Sequence, residues 1–241
     1  MNTRFAAFAV LLSAAPSYAG DLYTPVSAGY NLSASAADGY SDTLVNTDLG
    51  DQNLSLTQVD FGAYSVSTIA RSSFSSNFIG QEALTTSITR PNSNFSTNAS
   101  SSQSITFDLH ADTLATLQSL QNGWRATVSE SALATCVSTL RDDAGAILLI
   151  REAPASSEQF SESINLPAGR YTWSVVSNTV SEPSPPAPGA MQNSGQVTAP
   201  LQLTFTEGFG PCSVADTAEP FGALNFFDVA TFIGLYNAGD P

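Results

Sequence analysis

The chain has no lysine, one histidine and two cysteines in 241 residues. Its seven arginines are the only basic side chains facing 21 Asp and Glu, a formal net charge of −14. Each scarcity bears on function. Nucleic acid and anionic membranes both need basic side chains turned toward phosphate, so both are disfavoured as partners. Arg125, Arg141, Arg151 and Arg170 lie too far apart in sequence to suggest a basic stripe. The lone His110 excludes a histidine-rich zinc site. Beyond the N-terminal segment, no stretch reaches the roughly 18 uninterrupted apolar residues that a membrane helix requires. There is no Gly-x-Ser-x-Gly nucleophile elbow and no Gly-rich phosphate cradle. The acidity itself reads as a solvated surface.

What is present begins with an export signal. Arg4 supplies a positive start, Phe5 to Ala15 an apolar stretch, and Ser17-Tyr18-Ala19 a small-x-small cleavage site. Residues 1–19 are therefore expected to be removed, leaving a secreted or cell-surface chain with six arginines against 21 acids, a net of −15. Export permits oxidised cysteines. A Cys136–Cys212 bridge would tie the end of the chain to its body; free or intermolecular thiols are the alternative.

The body, residues 20–206, reads as an antiparallel β-sandwich of jelly-roll-like type. Residues 20–54 are rich in Ser, Ala, Gly, Asp and Asn, and are expected to form an irregular arm with at most one edge strand. Leu54, Leu56, Val59 and Phe61, then Tyr64, Val66 and Ile69, suggest two short strands about Phe61-Gly62-Ala63. The serine-rich stretch 72–102 suits exposed strands with polar loops, or partial disorder. Alternation is clearest from 104 onward. It runs through Ile105, Phe107 and Leu109, then Trp124, Ala126 and Val128 after an Asn122-Gly123 turn signal. It continues through Ala134 to Leu140, a turn at Asp142 to Gly145, and Ala146 to Ile150. Tyr171, Trp173 and Val175 form a further strand. A proline-rich loop follows over 182–195, and Val197, Leu201, Leu203 and Phe205 close the body. Turn signals every 8–14 residues with no sustained helical period favour a mainly β fold.

Catalytic chemistry finds little purchase. His110 could serve as a base only with a serine and a carboxylate such as Asp108 or Asp112. Glu130, Asp142, Asp143, Glu152, Glu158 and Glu162 supply carboxylates, but nothing in their spacing selects a pair for glycoside hydrolysis. The chain is therefore read as non-enzymatic, with a secreted hydrolase as the lesser alternative. Carbohydrate binding is the other alternative, since sandwich domains stack sugar rings on exposed aromatics. Trp124, Tyr171 and Trp173 are the candidates; Tyr171 and Trp173 share strand parity and so face one side of a sheet. Filling the core is the competing role for all three.

Residues 212–241 have a grammar of their own. Asp216 opens a polar, turn-rich segment that Asn225 and Asp228 close before an apolar run. Phe227, Phe232, Ile233 and Tyr236 recur near a 3.6 period, and Phe226 widens the apolar face. Asn225 suits an N-cap, with Asp228 in the first turn; Gly239 and Pro241 stop the helix. Cys212, Ala215-Asp216, Glu219-Pro220-Phe221-Gly222, Asn225-Phe226-Phe227-Asp228-Val229, Phe232 and Ala238-Gly239-Asp240-Pro241 together resemble one repeat of a dockerin-like C-terminal module of secreted bacterial proteins. Family members usually carry two repeats, and one is present here, so the segment 215–241, joined by a linker at 207–214, is expected to be either a half-module or a module cut short. The resemblance implies a calcium site from Asp216, Glu219, Asn225 and Asp228. The offsets three and five beyond Asp216 hold Ala218 and Pro220, which lack side-chain oxygens for an EF-hand-like loop. It also implies docking to an extracellular or cell-surface protein through Phe226, Phe227, Phe232, Ile233 and Tyr236. In the family, the cysteine opening the module more often pairs with one in a closing Gly-Cys-Pro, which this sequence lacks. The expectation is thus a secreted, non-catalytic sandwich tethered through its tail.

Overall fold

The computed structural model describes residues 22–60, 63–91, 93–120, 124–129, 131–183 and 192–207. The expected signal segment 1–19, most of the expected linker, and the tail 215–241 with Asp216, Glu219, Asn225, Asp228, Phe226, Phe227, Phe232, Ile233 and Tyr236 lie outside the described residues.

The described chain is built of strands, with no helix among its residues. In order they are β1 (Tyr23–Ala36), β2 (Ser41–Asn46), β3 (Gln52–Asp60), β4 (Tyr64–Ser75), β5 (Phe78–Thr89), β6 (Thr97–Leu109) and β7 (Thr113–Ser119). They continue as β8 (Arg125–Val128), β9 (Ala132–Asp142), β10 (Ile147–Glu152), β11 (Ser161–Leu166), β12 (Gly169–Ser181) and β13 (Asn193–Glu207). One sheet has the order β10-β9-β12-β6-β1-β2; the other runs β11-β7-β13-β5-β4-β3, with β8 also paired to β13. All pairings are antiparallel, and the two sheets pack face to face as a β-sandwich.

Period-two alternation explains the layering. Along β12, Tyr171, Trp173, Val175, Ser177, Thr179 and Ser181 turn inward while their neighbours face out. The turn expected at Asp142 to Gly145 is formed. Gly145 takes φ 84°, a region open to glycine, and the Asp142 carboxylate accepts the Ala146 N–H at 2.8 Å. That closes the β9–β10 hairpin.

Two expectations are corrected. The expected irregular arm over 20–54 is not formed by its described residues, 22–54: β1 is a 14-residue interior strand paired on both edges, with β6 and β2. Its inward residues include Tyr23, Ala28, Tyr30, Leu32 and Ala34, but Ser, Asn and Gly between them dilute the apolar signal, and a bulge between Pro25 and Ser27 shifts its phase. The serine-rich stretch 72–102 likewise forms central strands. Several of its inward Ser and Thr bond across the sandwich, as Ser87 does to Thr179 and Thr89 to Ser181.

The interior therefore has two characters. At one end Tyr23, Phe107 and Phe205 form an aromatic knot, with Tyr23–Phe205 centroids 4.8 Å apart and Phe107–Phe205 centroids 5.2 Å apart. At the other end the sheets close on small residues. A Cβ added to Gly195 on β13 would sit 2.5 Å from the Leu133 carbonyl oxygen of β9 in the opposite sheet. That approach places Gly195 inside the sandwich, although residues 182–195 read as loop in sequence.

Candidate site on the outer face of the second sheet

The three aromatic candidates for sugar stacking are all interior. Trp124 is 1% exposed and packs edge-on against Phe160 with centroids 5.5 Å apart. Trp173 is fully buried, and its indole N–H donates to Ser138 Oγ at 2.9 Å. Tyr171 is 4% exposed, with its hydroxyl donating to the Pro167 carbonyl at 2.8 Å. None presents a free ring face to solvent. Their alternation with polar neighbours reflects core filling, as happens when a sheet face is covered by its partner.

Asp108, Asp112, Asp142 and Glu162 are engaged in structural contacts. Asp108 is gripped by Arg170 through two bonds of 2.7 and 2.8 Å, and this contact, with Arg170 as the chief cause, holds its carboxyl below the usual range. Asp112 accepts the Ala168 N–H, and Glu162 pairs with Arg151 at 2.8 Å. His110 Nε2 meets Thr24 Oγ1 at 2.7 Å rather than a serine. Glu130 is outside the described residues. Among the described residues no group of three or more His, Cys, Asp or Glu converges to hold a metal. Cys136 is buried on β9 with no disulfide partner among the described residues, and Cys212, its expected partner, is outside them. Burial pushes the Cys136 thiol up to about 12, well away from reactive thiolate.

A concave surface does occur on the outer face of the second sheet. It is a groove of about 500 Å³ lined by residues of β3, β4, β5 and β13 together with Leu120, which follows β7. Its floor is Gly80, flanked in the ladder by Ser73 on β4 and Gln202 on β13. Any side chain at position 80 would collide with the Ser73 hydroxyl, so the missing side chain makes the depression. Two residues along β5, Glu82 stands between Arg71 and Pro200. Arg71 Nη1 donates to Glu82 Oε2 at 2.8 Å, and Arg71 Nε to Asn53 Oδ1 at 3.1 Å. Leu120 is 40% exposed and is fixed by its N–H donating to the Pro200 carbonyl at 2.8 Å.

Chemically the groove combines a neutralised ion pair, amide and hydroxyl groups from Gln52 and Ser73, and an apolar wall of Leu120 and Pro200. A guanidinium carries five N–H donors and a carboxylate several acceptor positions, so both hold spare capacity after pairing with each other. The cancelled charge favours a neutral ligand over an ionic one. The sequence carried no sign of this site. Arg71 and Glu82 are 11 residues apart, and only the β4–β5 register sets them side by side.

No protein-family model matches the chain, and no curated protein matches it in sequence. Among solved structures the chain is similar to a CBM61 module in complex with β-1,4-galactotriose, with a TM-score of 0.27 and 11% identity over 63% of this chain and 88% of that one. It is also similar to a GH31 α-xylosidase from Xanthomonas citri, with a TM-score of 0.20 and 10% identity over 74% of this chain and 28% of that one. Likenesses at this level do not bear on activity.

Proposed function

We propose that the chain is an exported, non-catalytic β-sandwich binding module whose ligand site is the groove over Gly80, and that it takes a neutral, hydroxyl-rich ligand of the glycan class. The observation that carries this reading is the placement of the Arg71–Glu82 pair beside a glycine floor and the Leu120–Pro200 wall. Planar donors and acceptors can meet vicinal hydroxyls in pairs, and an apolar wall can cover the C–H face of a sugar ring. With no exposed tryptophan or tyrosine among the groove residues, affinity is expected to be modest and to rest on hydrogen bonds.

Calorimetric titration with a panel of neutral gluco-, galacto- and xylo-oligosaccharides tests the reading. Binding that is lost in Arg71→Ala and in Glu82→Ala supports it. No binding across the panel, or binding indifferent to both variants, overturns it.

Export through residues 1–19 and attachment through residues 215–241 belong to the same proposal. The signal grammar supports the first and the dockerin-like resemblance the second. Asp216, Glu219, Asn225 and Asp228 would furnish the oxygens for calcium, and calcium titration of the full mature chain is the direct test: heat or thermal stabilisation lost in Asp228→Ala supports the role, and neither in the parent chain refutes it.

A further inference from the structure

The polar residues of the interior do not all satisfy one another. β5 and β12 run in the same direction on opposite sheets with a constant offset. Gln81 Nε2 donates to the Trp173 carbonyl at 3.1 Å, Ser87 Oγ to the Thr179 carbonyl at 3.0 Å, and Thr89 Oγ1 meets Ser181 Oγ at 2.9 Å, each pair 92 residues apart. The same offset brings Thr85 level with Ser177. Ser177 is paired in its own sheet with Ser101 of β6. Thr85 is paired with Thr68 of β4, whose hydroxyl donates to the Ser100 carbonyl at 3.1 Å and so marks the same level on β6. Thr85, Ser101 and Ser177 therefore face one another from three strands at the middle of the sandwich. All three are 0% exposed, and none of their hydroxyl oxygens has a hydrogen-bond partner. One inward position along β6, Gln103 donates through Nε2 to the Glu82 carbonyl at 2.7 Å, while its Oε1 also lacks a partner.

We infer that Thr85, Ser101, Ser177 and Gln103 form a built interior site for bound water that bridges the two sheets. The functional groups suit water in particular. Gln103 Oε1 can only accept, and each hydroxyl can donate once and accept, so a molecule offering two donors and two acceptor positions completes the set. A cation is disfavoured because the site holds no carboxylate to offset the loss of its hydration shell. An apolar guest would leave all four oxygens unsatisfied. The site is independent of the groove and of the glycan reading. It explains how these inward hydroxyls are accommodated at the centre of a sandwich, since the bridging water supplies the cross-sheet bonds that Thr85, Ser101 and Ser177 do not make directly.

Water–protein NOE and ROE spectra of the isotopically labelled mature chain test this. Cross-peaks of long-lived water at the Thr85 γ-methyl group and at the Ser101 and Ser177 amides are expected, and their loss in the near-isosteric Thr85→Val variant. Absence of those cross-peaks in the parent chain overturns the inference, as does their persistence in Thr85→Val. Should Thr85→Val fail to fold, a high-resolution crystal structure of the parent decides. Ordered water within hydrogen-bond reach of these oxygens supports the site. Hydroxyls bonded directly to one another, or an ion with contacts of about 2.3–2.6 Å, refute it.

Discussion

The Tyr64 hydroxyl donates to the Asp38 carboxylate at 2.7 Å, joining β4 of one sheet to the turn that follows β1 of the other. Asp38 also accepts the Tyr40 N–H at 2.9 Å, so one carboxylate shapes the turn and anchors it. The Tyr64 ring is fully buried against Phe95, with centroids 6.0 Å apart. Two tyrosines of β1 reach across in the opposite direction: Tyr23 to the Ser75 and Phe78 carbonyls, and Tyr30 to Ser72 Oγ. Phenols thus tie the sheets together where the hydrophobic area is thin.

Tyr64→Phe removes one such tie and little volume. Because exposed Asp38 can be rehydrated, the expected loss is about 1.5 kcal/mol, the lower end for a bond to a charged acceptor. Asp38→Ala should cost more, since the turn contact to Tyr40 goes as well. Chemical denaturation of both variants measures this, with unchanged slope as the sign of an intact fold.

Gly195 and Gly80 are predicted to differ sharply in their tolerance of alanine. At 195 the added Cβ meets backbone, the Leu133 carbonyl at 2.5 Å and that of Val180 at 3.3 Å, so the sheets themselves must part. Gly195→Ala is expected to cost about 1–3 kcal/mol, the range for overpacking a tight interior. At 80 the obstacle is the Ser73 hydroxyl, which can rotate away. Gly80→Ala should leave the melting temperature nearly unchanged while shallowing the groove and weakening oligosaccharide binding.

Stability should fall on the alkaline side. Burial is the chief cause that raises the Tyr30 phenol from 10.0 to about 12 and the Cys136 thiol from 9.0 to about 12. Tyr64 is raised too, first by burial and then by its bond to Asp38. The folded state keeps protons that the unfolded state releases, so this contribution is full below about pH 9 and is lost as pH rises toward about 12. Denaturation midpoints between about pH 8 and about pH 11 should decline, and less steeply in Tyr30→Phe. In a Cys212→Ser background, Cys136 should resist thiol reagents in the native protein and react once the chain is unfolded.

Both tryptophans should behave as interior probes. Trp124 and Trp173 are each within 1% of full burial, so native fluorescence should be blue-shifted and little quenched by acrylamide. Oligosaccharides bound in the groove should leave it unchanged. Ready quenching would put an indole at the surface and return the stacking role to it. Trp173→Phe should destabilise by about 1–3 kcal/mol, through lost volume and the bond to Ser138.

Much of the body was legible in the chain. Alternation at Ile105, Phe107 and Leu109, and at Tyr171, Trp173 and Val175, identifies strands directly, because a strand with one covered face places every second side chain in the core. The Asp142 to Gly145 turn was legible for the same local reason: its hydrogen bonds and its positive φ involve adjacent residues. β1 and the serine-rich β5–β6 region were not. Several of their inward polar residues are stabilised by partners about 20 to 90 residues away, as Gln103 is by Glu82 and Ser87 by Thr179, and local pattern carries no trace of them. The groove is of the same kind.

What the sequence by itself determined is the class of structure: an acidic, lysine-free chain with strand-period burial and turns at its polar junctions. Tertiary structure alone decided that Trp124, Tyr171 and Trp173 are core, that Arg71 meets Glu82 beside Gly80, and that the hydroxyls of Thr85, Ser101 and Ser177 are buried without a partner. The reason is physical. Alternation is written into neighbouring residues, whereas the meeting of two faces depends on register between strands distant in the chain, which is set only when the sheets pair and close.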